Sequence, residues 1–226
     1  MSKAKTICAR DLAALAGDRY EGVITDMDGT ILDSMGMWED IDRRFLEKRG
    51  KVCDTAYTSA LKTMTLPQAA RFTVERYGLQ EEPEDIIDEW YRMAMASYGD
   101  AVILKPGAME LLKTWNRKEI PLMLCSMSPQ LIVDTAVRQC GMEGLFRGLV
   151  YMETTGTGKD KPDPFLYASH LLGLSPERTL VLEDSVVAMK TAVAAGYPVC
   201  AVYDPSAEKD LQEIMETADF YLPDFS

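Results

Sequence analysis

Two aspartates one residue apart, Asp26 and Asp28, close a short apolar run in the segment GVITDMDGTIL at residues 22–32. An apolar run of this length, ended by a turn signal, predicts a buried strand. Carboxylates at the carboxyl end of such a strand stand where open α/β sheets bind ligands. Unpaired, they are costly unless a cation or a reaction uses them. Gly29 permits the sharp turn that lets both face one site. Thr30 caps or orients that turn. A second acidic pair, Glu183 and Asp184, ends the apolar run TLVLED at 179–184. Acids at two strand ends of one sheet converge on a metal site, and Mg²⁺ prefers oxygen ligands.

Two further signals lie between these pairs. The run PLMLCS at 121–126 ends in Ser126, and Met127-Ser128-Pro129 opens a helix. A hydroxyl beside free N–H groups at a helix start makes an anion site, here centred on Ser126 and Met127. Ser128 before Pro129 equally fits a plain helix N-cap. Lys159 and Lys161 lie in GTGKDKPDPF at 156–165. A lysine there would offset the carboxylates and hold a phosphoryl group. Nucleophile, proton carrier and cation are what phosphoryl transfer requires.

DMDGT followed by Ile-Leu-Asp-Ser resembles the first motif of the haloacid dehalogenase superfamily, and the other three signals follow in the superfamily's order. The resemblance implies Asp26 as the nucleophile that forms an aspartyl-phosphate. It implies Asp28 as general acid/base, with its main-chain carbonyl on the metal. It implies Ser126 as the phosphate-binding hydroxyl. Mg²⁺ would be held by Asp26, Asp28 and Asp184, with Glu183 bound directly or through water. The dehalogenase branch lacks the second aspartate, so Asp28 points to phosphate chemistry. Family members place the motif lysine six residues before an aromatic and fourteen before the glycine of a Leu-Gly pair; Lys159 meets both counts, at Phe165 and Gly173. Lys159 is therefore chosen over Lys161.

The elements that must position these residues are legible in outline. A short helix at 7–16 precedes the first strand at 22–26. Residues 36–98 read as helices only, at 36–49, near 54–62, at 67–77 after Pro67 and at 83–98 after Pro83. Gly50, Gly78 and Gly99 stand where helices could stop. From 107 onward helix and strand alternate: helices at 107–118, 129–140, 162–172, 185–195 and 206–217, strands at 121–126, 148–152, 179–184, 198–204 and 220–222. Such alternation predicts an α/β fold, a Rossmann-like parallel sheet with helices on both faces. The expected domains are a core at 1–34 and 100–226 and an all-helical cap at 35–99. The insertion point after the first motif matches the superfamily's helical-cap subclass. Closing such a cap would exclude water and add leaving-group contacts. Trp38, Arg43 and Arg44 are candidate pocket residues, Trp38 foremost.

Composition narrows the partners. The net charge of −12 argues against nucleic acid or an anionic membrane. No run of apolar residues is long enough to span a bilayer. Five scattered cysteines without CxxC spacing point to a cytoplasmic protein with reduced, mostly buried thiols. The expectation is a Mg²⁺-dependent phosphatase of a small phosphorylated metabolite, of sugar-phosphate or nucleotide type, acting as a monomer or weak homo-oligomer. The alternatives are a phosphosugar mutase and, from another class, a non-catalytic phospholigand-binding protein. β-Phosphoglucomutase-like relatives often carry a cap histidine ten residues after the acid/base aspartate; that position is Trp38, and the only histidine, His170, lies in a predicted core helix. This lowers the mutase reading.

Overall fold

The computed structural model describes residues 3–61, 64–98 and 103–226. The helix stop expected at Gly99, the last residue of the helix expected near 54–62, and the return of the insertion from residue 99 lie outside them. The chain divides into two compact units, Met1–Asp33 with Ile103–Ser226, and Ser34–Val102.

The first unit begins with strand β1 (Lys5–Thr6), helix α1 (Ala9–Asp18), strand β2 (Gly22–Thr25) and strand β3 (Leu32–Asp33). The second holds α2 (Met35–Glu47), α3 (Thr55–Leu61), α4 (Leu66–Tyr77) and α5 (Pro83–Tyr98). The first then resumes with β4 (Ile103–Leu104), α6 (Ala108–Arg117), β5 (Leu122–Cys125), α7 (Gln130–Gln139), β6 (Gly148–Val150), α8 (Met152–Thr155) and α9 (Asp163–Leu172). It closes with β7 (Thr179–Glu183), α10 (Val186–Ala194), β8 (Val199–Val202), α11 (Leu211–Thr217) and β9 (Phe220–Leu222).

Seven strands form one sheet in the order β1-β9-β8-β7-β2-β5-β6. Every pair in it is parallel. This is the α/β architecture the alternation predicts. The strands are apolar on both faces because helices cover both. Val23, Ile24, Leu122, Leu124, Val181 and Leu182 are all buried. Burying each such side chain contributes roughly 1.5–3 kcal/mol. β2 is central, with β7 on one side and β5 on the other. Chain order reverses at β2, and open α/β sheets bind ligands beyond the carboxyl ends of strands at such a reversal.

The structure departs from the sequence reading at short elements. Strand β1 and the antiparallel ribbon of β3 with β4 are not foreseen. Two-residue strands carry no period to read. α1 is kinked, because Gly17 sits at φ 105°. The last predicted helix opens as a 3₁₀ segment at Pro205–Asp210 and turns α-helical only from Leu211. Asp204 caps that opening, accepting from the Ser206 N–H at 2.9 Å. Gly107 is obligatory: its φ is +87°, and a Cβ there would stand 2.2 Å from the Phe225 carbonyl oxygen.

The second unit is all-helical among its described residues. Phe45 of α2 packs on Trp90 of α5 with ring centroids 5.4 Å apart. Arg49 lies over Phe45 and pairs with Glu81 and Glu89. Glu81 and Glu89 therefore share one guanidinium. Tyr57 of α3 is fully buried and shares a hydrogen bond of 2.9 Å with Thr73 of α4. α4 ends at Gly78 in the left-handed conformation, as its sequence predicts. Arg43 and Arg44 pair along α2 with Asp40 and Glu47, so their charges are engaged locally.

Candidate active site

The strand ends bring most of the predicted residues together within the first unit. Asp26 follows β2 directly, and its N–H donates to the Leu182 carbonyl of β7 at 3.0 Å. Ser126 follows β5, and its N–H donates to the Val150 carbonyl at 2.9 Å. Glu183 ends β7, and Asp184 is next. One carboxylate oxygen from each of Asp26, Glu183 and Asp184 lies within 4.8 Å of the other two, and all three residues are buried. An all-carboxylate set of this kind suits a hard divalent cation.

Lys159 is drawn into the same cluster, 7% exposed. Its ammonium donates to Asp26 Oδ1 and, at 2.6 Å, to Glu183 Oε1. It also lies 5.7 Å from the centre of the Phe165 ring, the aromatic used in the spacing argument. Lys161 is exposed. The second oxygen of Glu183 accepts from the N–H groups of Asp184 and Ser185, each at 2.9 Å. Both Glu183 oxygens are thus engaged. Among the described residues, Asp26 accepts through Oδ1 from Lys159 and Asp184 through Oδ1 from Thr30.

The electrostatics follow from burial. Desolvation pushes the Asp26 carboxyl up to about 7, against the lowering influence of Lys159. Asp184 is raised well above the carboxylate range by burial first, then by Glu183 and Asp26. Burial alone would lower Lys159, but Asp26 and Glu183 outweigh it and keep the ammonium protonated. Three acidic groups share one ammonium, and a bound cation would favour the ionised form of all three.

Asp28 is half-buried, and its Oδ2 accepts from the Ser128 hydroxyl at 2.8 Å. Ser128 is therefore not a helix cap: α7 starts at Gln130 after Pro129, with no side-chain cap. The Ser128 N–H also donates to Ser126 Oγ at 3.0 Å. In that bond Ser126 Oγ is the acceptor, and the hydroxyl keeps one proton to donate. Thr30 donates to Asp184 Oδ1 at 2.9 Å, a link across the cluster that the turn reading of Thr30 misses. Met127 is half-buried and its side chain packs on the hydrophobic core. Trp38 belongs to α2 of the second unit, where it is half-buried and its main-chain N–H donates to the Ser34 carbonyl at 3.2 Å.

Burial pushes the Cys125 thiol up to about 12, so it is inert as a nucleophile. His170 is exposed on α9. Of the five free cysteines only Cys125 and Cys200 are buried, fewer than expected.

The sequence profile described as haloacid dehalogenase-like hydrolase matches residues 20–196. The chain belongs to the haloacid dehalogenase-like hydrolases. Relatives of this family include the bifunctional riboflavin kinase/FMN phosphatase of Arabidopsis thaliana, 32% identical over 83% of the chain and 49% of that protein. The chain thus spans about half the length of that relative. The phosphorylated carbohydrates phosphatase of Thermotoga maritima is 27% identical over 78% of the chain and 82% of that protein. A family IA hydrolase from Entamoeba histolytica has the same fold, with a TM-score of 0.80, 20% identity, and 91% and 93% of the two chains covered. No helix among the described residues is long and apolar enough to cross a membrane.

Proposed function

We propose that this hydrolase cleaves phosphate monoesters of small metabolites, of the sugar-phosphate or nucleotide type, through a phosphorylated Asp26. The observation that carries the reading is the buried Asp26–Lys159–Glu183–Asp184 cluster at the carboxyl end of β2. Relatives named as phosphatases of phosphorylated carbohydrates and of FMN support the substrate class.

Asp26 attacks phosphorus as the carboxylate, and the ester P–O bond breaks. Asp28 gives its proton to the leaving oxygen. It then takes a proton from the water that attacks the aspartyl-phosphate, releasing inorganic phosphate and free Asp26. Ser126 and the Met127 N–H hold the phosphoryl oxygens. Lys159 keeps Asp26 oriented and stabilises charge on the phosphoryl group. Mg²⁺, held by Asp26, Asp184 and the Asp28 carbonyl, with Glu183 behind them, would balance the excess negative charge of the cluster and of the phosphoryl group.

The division proposed from the sequence, a core at 1–34 and 100–226 and a cap at 35–99, belongs to the same reading. So does a cytoplasmic setting, supported by the absence of disulfides among the five cysteines. Asp26→Asn tests the reading. Magnesium-dependent phosphate release from a panel of phosphorylated sugars, polyols and nucleotides should be lost in that variant. Release that survives unchanged in pure protein would remove Asp26 from the chemistry.

A further inference from the structure

Lys105 takes part in no step above. It follows β4, and its side chain is 13% exposed. Its ammonium donates to the Gly29 carbonyl and, at 2.6 Å, to the Tyr203 carbonyl. It stands 3.0 Å from Asp204 Oδ2, in a carboxylate that is 2% exposed. Its own N–H donates to the Ile31 carbonyl at 2.9 Å. One residue therefore grips the carbonyls on both sides of Thr30. Thr30 in turn holds Asp184, and Gly29 follows Asp28 directly.

Neutralising Asp204 does not by itself account for this arrangement. Asp204 already has a local task, capping the 3₁₀ segment through Oδ1. Both hydrogen bonds of the ammonium go to main-chain carbonyls, one of them in the turn that carries the acid/base, while Asp204 Oδ2 stands beside it as an ion-pair partner only. Ordering a long lysine side chain in a part-buried place costs conformational entropy, which a short apolar residue would avoid. An ammonium is a compact head with several donors and can tie separate segments to the one that carries it. Here those are the Asp28–Thr30 turn, the end of β8 and the ribbon of β3 with β4.

We propose that Lys105 is a positioning residue for phosphoryl transfer, fixing the turn between Gly29 and Ile31 and through it the aim of Asp28 and Asp184. This rests on the phosphatase reading above. Carboxylates that hold a cation lose affinity when the groups orienting them are removed, and a small misplacement of a catalytic group slows the reacting step.

The test uses the whole chain with Lys105→Met, Asp204→Asn and the double variant. The double variant leaves no buried carboxylate unpaired, so it carries the comparison if Lys105→Met alone fails to fold. Turnover of para-nitrophenyl phosphate is measured as kcat and KM. Magnesium binding is measured separately, without substrate, from the rise of melting temperature on titration. In both Lys105 variants kcat should fall about tenfold or more with KM within about twofold, and half-saturating magnesium should rise about fivefold or more. Asp204→Asn, which leaves Lys105 on Gly29, should keep kcat and magnesium binding within about twofold of the parent. A double variant that turns over and binds magnesium like the parent would overturn the proposal. So would an Asp204→Asn loss as large as that of Lys105→Met. Should the parent itself lack turnover that depends on Asp26, the phosphatase reading fails instead; the magnesium titrations still decide the role of Lys105.

Discussion

Lys159→Met removes the positive head of Lys159 and keeps most of its length. In the parent that head lies between Asp26 and Glu183, whose side chains are 10% and 2% exposed. Glu183 Oε1 is 2.6 Å away. Taking one partner out of a buried ion pair leaves the other charge uncompensated, at a cost of about 3–5 kcal/mol. For a chain of this size each kcal/mol moves Tm by roughly 2–4 °C. The variant should therefore melt about 6–20 °C below the parent in chelator at neutral pH. The second effect is chemical. Losing a preorganised charge at the transferring group should lower kcat about 10²–10³-fold. Adding magnesium should recover more of the lost Tm in the variant than it adds to the parent, because ligand binding stabilises the folded state by mass action and the variant carries the larger excess of negative charge. Differential scanning calorimetry with and without magnesium, and steady-state phosphate release, measure both effects. A Tm within about 2 °C of the parent and kcat within about threefold would refute the reasoning, since Lys159 would then be compensating nothing.

Ser128→Ala removes the hydroxyl on Asp28 and should lower kcat roughly tenfold with Tm little changed, the value of one hydrogen bond to a charged group; a kinetic comparison with the parent checks it. Thr30→Val should weaken magnesium binding about tenfold or more by freeing Asp184, read from a melting titration. Gly107→Ala should destabilise by roughly 2 kcal/mol or more, because φ is +87° and backbone blocks the new Cβ; chemical denaturation measures it. Asp42 on α2 gives a pH test within the second unit. Burial first, and Glu39 second, raise its carboxyl to about 7. In the unfolded chain it ionises near pH 4, so the folded state holds the extra proton between the two values and stability falls as pH rises from about 4 to 7. Asp42→Asn should remove that slope and raise stability at pH 8 by roughly 1–3 kcal/mol, followed by urea melts at pH 5 and pH 8.

The strands that carry chemistry were legible because they are buried on both faces and so are written as apolar runs. Val23–Ile24, Leu122–Leu124 and Leu180–Leu182 need no alternation to be found. The acids at their ends were conspicuous for the same reason, since charge abruptly follows a run that excludes it. Lys159 emerged by spacing, and the ring of Phe165 beside it gives that spacing a physical sense. The polar support was harder to see. Ser128 before Pro129 has the local pattern of a helix cap, and only the fold brings Asp28 to its hydroxyl. Thr30 and Lys105 act across long stretches of chain, on Asp184 and on Gly29, and no local period records such a contact. Ser126 and Ser128, two hydroxyls spaced by one residue at a strand end, were the one available hint of a shared task. The short ribbon of β3 with β4 escaped notice because two residues cannot display an alternation.

The most direct measurement is a crystal structure of the protein grown with magnesium and beryllium fluoride, a mimic of a phosphorylated carboxylate. Beryllium should be bound to a carboxylate oxygen of Asp26. The magnesium should lie between Asp26 and Asp184 with the Asp28 carbonyl, and Lys159 and Ser126 should contact the fluorides. Beryllium fluoride found elsewhere, with Asp26 still bare and the cation away from Asp184, would contradict the account at its centre.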